Sequence, residues 1–158
     1  MTVLSRPLPD EAATDAFAAQ LAAALPPQRF AIALQGGLGA GKTRLVRGLL
    51  RALGERGPVP SPTYTLLESY SVAGRRLCHL DLYRLASPEE LEFLGLREWL
   101  AEPIVLLVEW PERGAGFLPA FDLTVSLAIA GRDARRLDLE AASSAGEALL
   151  SRLAVGNA

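Results

Sequence analysis

The sequence predicts a three-layer α/β domain with a central mixed, mostly parallel sheet, and three observations carry that prediction. Apolar runs of strand length are interleaved with segments of helical periodicity, the order that βα units produce. One run, Ile104-Val105-Leu106-Leu107-Val108, is apolar without interruption, as a strand covered on both faces must be. Another, Phe30 to Leu34, leads into a glycine-rich segment that opens a helix, which puts a loop at the carboxyl end of its strand. Residues 1–158 are expected to form one domain, long enough for a full core.

Taken in order, Thr2 to Leu8 reads as a short strand. Pro9-Asp10 then opens a helix, with Asp10 as N-cap and acidic Glu11 in the first turn. Ala13, Phe17, Leu21, Ala24 and Leu25 form its apolar stripe, and Pro26-Pro27 stops it. Phe30 to Gln35 is a buried strand. The helix beyond the glycine-rich loop runs from Thr43 to Leu53, where Gly54 ends it. Three prolines between Gly57 and Pro62 stiffen the segment leading to Thr63-Tyr64-Thr65. Tyr64 to Val72, the turn Ala73-Gly74-Arg75 and Arg76 to Leu82 read as a β-hairpin. Ser87-Pro88-Glu89-Glu90 has the form of a capping box with proline at the first helical position. It predicts a short helix to about Gly95, with Leu96 to Leu100 adding another turn. After the strand that ends in Glu109-Trp110-Pro111, Leu123 to Ala130 and Arg135 to Ala141 alternate as two strands around Gly131-Arg132-Asp133. A second capping box, Ser144 to Glu147, opens a last helix that ends near Ala154.

Composition narrows the function classes. Half the residues are apolar and 22% are charged, which excludes a disordered chain. No apolar run approaches the roughly 20 residues of a membrane span. Met1 to Pro7 lacks the basic-then-apolar layout of a signal peptide, so a cytoplasmic protein is expected. Cys78 is the lone cysteine, which leaves no internal disulfide and suits a reducing compartment. It reads as a small buried strand residue. The lone histidine, His79, has no clustered partners in the sequence, so a metal site built on it is not expected. A net charge of −2 opposes a large electrostatic footprint for nucleic acid.

The chemistry concentrates in Gly36-Gly37-Leu38-Gly39-Ala40-Gly41-Lys42-Thr43, which fits the phosphate-binding loop pattern at every fixed position. Glycines let the backbone fold around an oxyanion so that several N–H groups point inward, and the following helix N-terminus adds positive potential. Lys42 would reach the β- and γ-phosphates, and the Thr43 hydroxyl would take one magnesium position. Lys42 is the only lysine in the chain, the other fifteen cationic side chains being arginines. A compact ammonium fits beside phosphates inside such a loop, where a planar guanidinium does not. These residues make a P-loop NTPase domain the expected class.

Hydrolysis also needs a carboxylate for the metal and an oriented water. Glu109 emerges where the apolar strand ends, the Walker B position, although an Asp is more usual there; a solvent-exposed strand-end acid is the alternative. Asp81 could hold magnesium through water, orient the attacking water, or simply end its strand. Thr63, beyond the proline segment, has the character of a switch residue that senses the γ-phosphate. Arg44 could touch phosphate or only cover the helix surface. No arginine stands out as a finger, so slow intrinsic turnover is expected.

Together these residues resemble the TsaE (YjeE) family, the small ATPases of bacterial tRNA threonylcarbamoyladenosine synthesis. The resemblance runs through Leu8-Pro9-Asp10-Glu11, Gly36 to Thr43, Ser61-Pro62-Thr63-Tyr64-Thr65-Leu66, and His79-Leu80-Asp81-Leu82-Tyr83-Arg84-Leu85. It continues in Glu89-Glu90-Leu91 and Val108-Glu109-Trp110-Pro111-Glu112, and more loosely at Gly131-Arg132 and Ser143 to Glu147. It implies ATP as the nucleotide, magnesium placed by Thr43 and Glu109, catalytic or switch roles for Thr63 and Asp81, and Glu11 near the adenine. It also implies TsaD and TsaB as partners that carry the transferase chemistry, with tRNA met indirectly through the complex and the ATP cycle resetting it. Two positions depart from the family loop: Gly37 stands where an Asp is usual, and Arg44 where a second Thr is usual. The first could slow turnover or shift weight to Asp81, and the second adds charge beside the phosphates. Two other classes stay open: a nucleotide-gated switch with negligible catalysis, which Gly37 favours, and a small-molecule P-loop kinase, which the absence of an arginine-rich lid disfavours.

Overall fold

The computed structural model of the chain describes residues 2–62 and 65–155. Its strands are β1 (Val3–Leu8), β2 (Phe30–Gln35), β3 (Leu67–Val72), β4 (Arg75–Asp81), β5 (Val105–Glu109), β6 (Leu123–Ile129) and β7 (Arg135–Ala141). Its helices are α1 (Glu11–Ala24), α2 (Lys42–Leu53), α3 (Leu96–Trp99) and α4 (Ser144–Val155), with 3-10 segments at Pro88–Leu94 and Pro111–Gly114.

These strands form one seven-stranded sheet in the order β1-β7-β6-β2-β5-β4-β3. The four central strands, β6, β2, β5 and β4, are mutually parallel. Both margins are antiparallel: β7 against β6 and β1, and β3 against β4. The mostly parallel sheet expected from the sequence therefore holds for the centre alone. Strands joined by a tight turn can only run antiparallel, because a parallel return needs a long crossover.

Burial explains which strand residues face where. Ile32, Leu34, Leu77, Val105 and Leu107 belong to a core shared with Phe17 and Leu21 of α1, Leu45 and Leu49 of α2, and Leu149 and Leu153 of α4. Their neighbours Ala31, Cys78, Leu80, Leu106 and Val108 point the other way, into a second core with Leu91 and Leu96. Three full helices thus cover one face, and short helical pieces cover the other. Side chains alternate across a strand, so Glu109, His79 and Asp81 share a face with Val105, Leu107 and Leu77. That is the face covered by α2.

Local chemistry decides the elements that differ from expectation. Asp10 caps α1 as expected, its carboxylate accepting from Ala13 N–H at 2.8 Å. At Ser87 the box does not close: the serine makes no capping bond, and Glu90 accepts from Ala86 N–H at 3.2 Å. A 3-10 segment forms there in place of an α-helix. At α4 the cap is Ser143, not Ser144, accepting from Gly146 N–H at 3.1 Å, while Glu147 accepts from Thr2 N–H at 3.1 Å. The hairpin turn is tighter than expected, with only Ala73 and Gly74 between β3 and β4. Of the strand expected from Tyr64 to Val72, Leu67–Val72 forms as β3, and Tyr64 itself lies outside the described residues. Among the described residues no helix is long and apolar enough to cross a membrane.

Candidate functional site

The glycine-rich loop begins where β2 leaves the sheet. Gly36 has φ of 152°, and a Cβ there would lie 2.7 Å from the backbone oxygen of Leu127 in β6. No side chain fits that gap. Gly39 and Gly41 have φ of 78° and 107°, the left-handed region that L side chains rarely adopt. Gly41 precedes α2 without any side-chain cap, so the first N–H groups of that helix are left for an anion. Gly37, by contrast, has no positive φ, and a Cβ added there would meet nothing among the described residues within 4 Å.

Lys42 opens α2 and is only 6% exposed. Its Nζ donates to the Gly36 carbonyl at 2.6 Å and lies 3.5 Å from Glu109 Oε1. The same ammonium sits 4.8 Å from the centre of the Trp110 ring. Glu109, 4% exposed at the end of β5, has its other oxygen 2.6 Å from His79 Nε2. A carboxylate only accepts, so Nε2 is the donor whenever Glu109 is in its carboxylate form. His79 Nδ1 is buried with no hydrogen-bond partner among the described residues.

Asp81 pairs in register with Glu109 across β4 and β5. It is 8% exposed and accepts from Tyr83 N–H at 3.1 Å. Trp110 has φ of 57°, an uncommon conformation for a bulky side chain. Aromatic and cationic contacts surround it: Tyr83 lies 5.0 Å away between ring centroids, and the Arg113 guanidinium 5.9 Å from its ring centre.

These side chains meet at one place. Leu38, Gly39, Ala40, Gly41, Lys42, Thr43, Arg44, Ser61, Asp81, Tyr83, Glu109 and Trp110 line a cavity of about 250 Å³. A second, of about 470 Å³, shares Lys42 and Trp110 with it and adds Gly36, Gly37, Gln35 and Glu112. Of the residues expected from the sequence, the loop, Lys42, Thr43, Asp81 and Glu109 come together. Arg44 lines the cavity, but its guanidinium turns to α1, 2.8 Å from Asp15 and 3.0 Å from Glu11. The bond to Asp15 raises the Arg44 pKa above its ordinary value. Glu11 is accordingly the partner of Arg44 and is not among the cavity-lining residues. Thr63 lies outside the described residues.

The hard oxygens of Thr43 and Glu109, both lining the cavity beside the glycine cradle, are the donor type that a magnesium ion would take, with Asp81 on the same side. Among the described residues no group of three or more His, Cys, Asp or Glu side chains forms a metal site by itself. Sequence reasoning missed His79 as the partner of Glu109. Strand parity was the available signal: two residues before Asp81, it shares that residue's face and sits diagonally from Glu109 on the next strand.

A family profile described as threonylcarbamoyl adenosine biosynthesis protein TsaE matches residues 8–137. The chain is 48% identical over 118 residues to a Haemophilus influenzae protein named tRNA threonylcarbamoyladenosine biosynthesis protein TsaE, covering 75% of this chain and 74% of that one. A Bacillus subtilis protein of the same name is 36% identical over 135 residues, covering 85% and 84%. The crystal structure of Bacillus subtilis YdiB superposes with a TM-score of 0.81 at 29% identity, over 99% of this chain and 97% of that one.

Proposed function

The chain belongs to the TsaE family, and on that premise we propose that it is a cytoplasmic, single-domain P-loop ATPase serving tRNA threonylcarbamoyladenosine biosynthesis. In this reading it binds ATP with magnesium at Gly36–Thr43 and hydrolyses it. The cycle resets a TsaD–TsaB transferase that carries the threonylcarbamoyl chemistry, and tRNA is met through that complex.

The observation that carries the reading is the buried Lys42 ammonium, held between the Gly36 carbonyl and Glu109 at the mouth of an uncapped glycine cradle. A cation kept in so dry a setting by two exchangeable oxygens is suited to transfer onto phosphate oxygens, where it meets more negative charge. The loop N–H groups and the start of α2 would orient the phosphates. Magnesium, held by Thr43 and Glu109, would neutralise charge on the phosphate oxygens when bound. Asp81, on the same face, is suited to orient the water that attacks the γ-phosphorus and to take its proton as the bond to the bridging oxygen breaks. His79 would keep Glu109 aimed. Arg44, already committed to Asp15 and Glu11, does not supply a finger, so turnover by the free protein is expected to be slow.

ATP turnover by the purified protein, alone and with TsaD and TsaB added, tests the proposal with Lys42→Ala as the blank. The expected outcome is stimulation by the pair and a loss of about 100-fold or more in the variant. Turnover retained in Lys42→Ala would remove the loop from the chemistry. Nucleotide binding without turnover in either condition would favour the switch reading, with the open position at Gly37 as its first cause.

A further inference from the structure

A loop that turns its N–H groups inward must place its carbonyls outside, and each carbonyl needs a partner there. Most of these partners are local. Lys42 Nζ takes the Gly36 carbonyl, Ala40 N–H takes that of Gly37 at 3.2 Å, and Leu45 N–H takes that of Gly41 at 3.0 Å. The two carbonyls at the crown, Gly39 and Ala40, are taken from a distance. Arg135, the first residue of β7, donates from Nε to Ala40 at 3.0 Å and from Nη2 to Gly39 at 3.2 Å. Its third nitrogen, Nη1, donates to the Ala134 carbonyl at 2.8 Å, in the turn between β6 and β7.

From this geometry we propose that Arg135 is a positioning residue for phosphate, its guanidinium holding the crown of the loop in its anion-ready shape before any nucleotide arrives. The proposal rests on the nucleotide reading above. Three features carry it. The Nε and Nη2 edge of a guanidinium is rigid and planar, so two carbonyls bound to it are fixed relative to each other. Gly39 and Gly41 are both in the left-handed region, a backbone readily lost to other conformations unless something outside holds it. The anchor is firm, because Ala130 N–H and the Ala134 carbonyl close the β6–β7 turn at 3.0 Å and β6 itself pairs with β2. The strand that carries the loop and the arginine that holds it thus belong to one sheet. The cationic group also lies behind the loop carbonyls, where it adds positive potential to the cradle without entering it.

Preorganisation acts on binding, so Arg135 governs nucleotide affinity more than the rate at saturation. Arg135→Met keeps the stem and removes every donor. Arg135→Lys keeps the charge but cannot span both carbonyls. Two measurements test the role. Amide hydrogen exchange of residues 38–43 in the nucleotide-free protein is expected to quicken about tenfold or more in Arg135→Met. Affinity for a non-hydrolysable ATP analogue is expected to fall about 10- to 100-fold, with Arg135→Lys in between and kcat at saturating ATP within about threefold of the parent. Loop exchange in Arg135→Met as slow as in the parent overturns the proposal whether or not nucleotide binds. Quickened exchange with unchanged affinity also overturns it. Failure of the parent protein to bind the analogue defeats the nucleotide reading and the phosphate role of Arg135 with it, while the exchange result still reports whether the strap exists. Should Arg135→Met not fold, Arg135→Lys carries the same comparison, and unchanged exchange and affinity there count against the proposal.

Discussion

Gly36 and Gly37 are adjacent, identical residues with opposite requirements. A methyl group at Gly36 meets a backbone oxygen at 2.7 Å, which cannot move without displacing β6. At Gly37 the same group meets no atom of the described residues within 4 Å. Gly36→Ala is therefore expected to lower the melting temperature by several degrees and abolish nucleotide binding, whereas Gly37→Ala leaves the melting temperature within about 1 °C, a surface substitution in effect. Calorimetric melting with analogue titration checks both. Equal effects at the two positions would contradict the packing of the loop against Leu127. Single residues of this site were legible where a spacing rule applies: the loop glycines, Lys42, and Glu109 at its strand end. His79 was legible only in part: strand parity puts it on the face of Asp81, but that β4 lies beside β5 is not written in the sequence. The role of Arg135 depends wholly on which strands become neighbours, and no pattern local to it carries that information.

The hairpin β3–β4 shows how element geometry is set by a pair of residues. Ala73 and Gly74 have φ of 53° and 76°, the two positive values that mark a type I′ turn. Glycine accepts this freely and alanine does not. Ala73→Asn should stabilise the protein by about 0.5–1 kcal/mol, since asparagine tolerates the left-handed region. A thermal or urea melt reads the gain, and a loss would mean that the turn is of another type. Elements were legible from the sequence where burial and periodicity agree, as in β2, α2, β5 and β7. They were less so where a cap was inferred from residue types. At Ser87 the carboxylate of Glu90 found Ala86 instead, and the segment wound as a 3-10 helix. The β3–β4 and β6–β7 pairings are antiparallel because short turns visible in the sequence join them, whereas that of β1 with β7 depends on which strands become neighbours.

At the scale of the whole molecule, the second core encloses Cys78 completely. Burial pushes its thiol up to about 11 from an ordinary value of 9.0, because the thiolate is the form that needs water. An unfolded chain loses this proton near pH 9, the folded chain only near 11. The contribution is therefore fully present below pH 9 and is lost as pH rises through 11. Urea midpoints measured from pH 8 to 11 should fall more steeply for the parent than for Cys78→Ala. Parallel curves would show that the thiol is solvated in the native state.

The strap from Arg135 also has a consequence for how the protein is made. The carbonyl it holds belongs to Ala40, 95 residues earlier in the chain. Chains emerge from the ribosome at about 5–20 residues per second, N-terminus first. For roughly 5 to 20 seconds each nascent copy carries a finished loop sequence without its clamp, and for much of that time β2 also lacks its neighbours β5 and β6. If the strap sets affinity, a half-made chain takes nucleotide about 10- to 100-fold more weakly than the finished one. Nucleotide would then engage completed molecules, and binding would report that synthesis has passed β7.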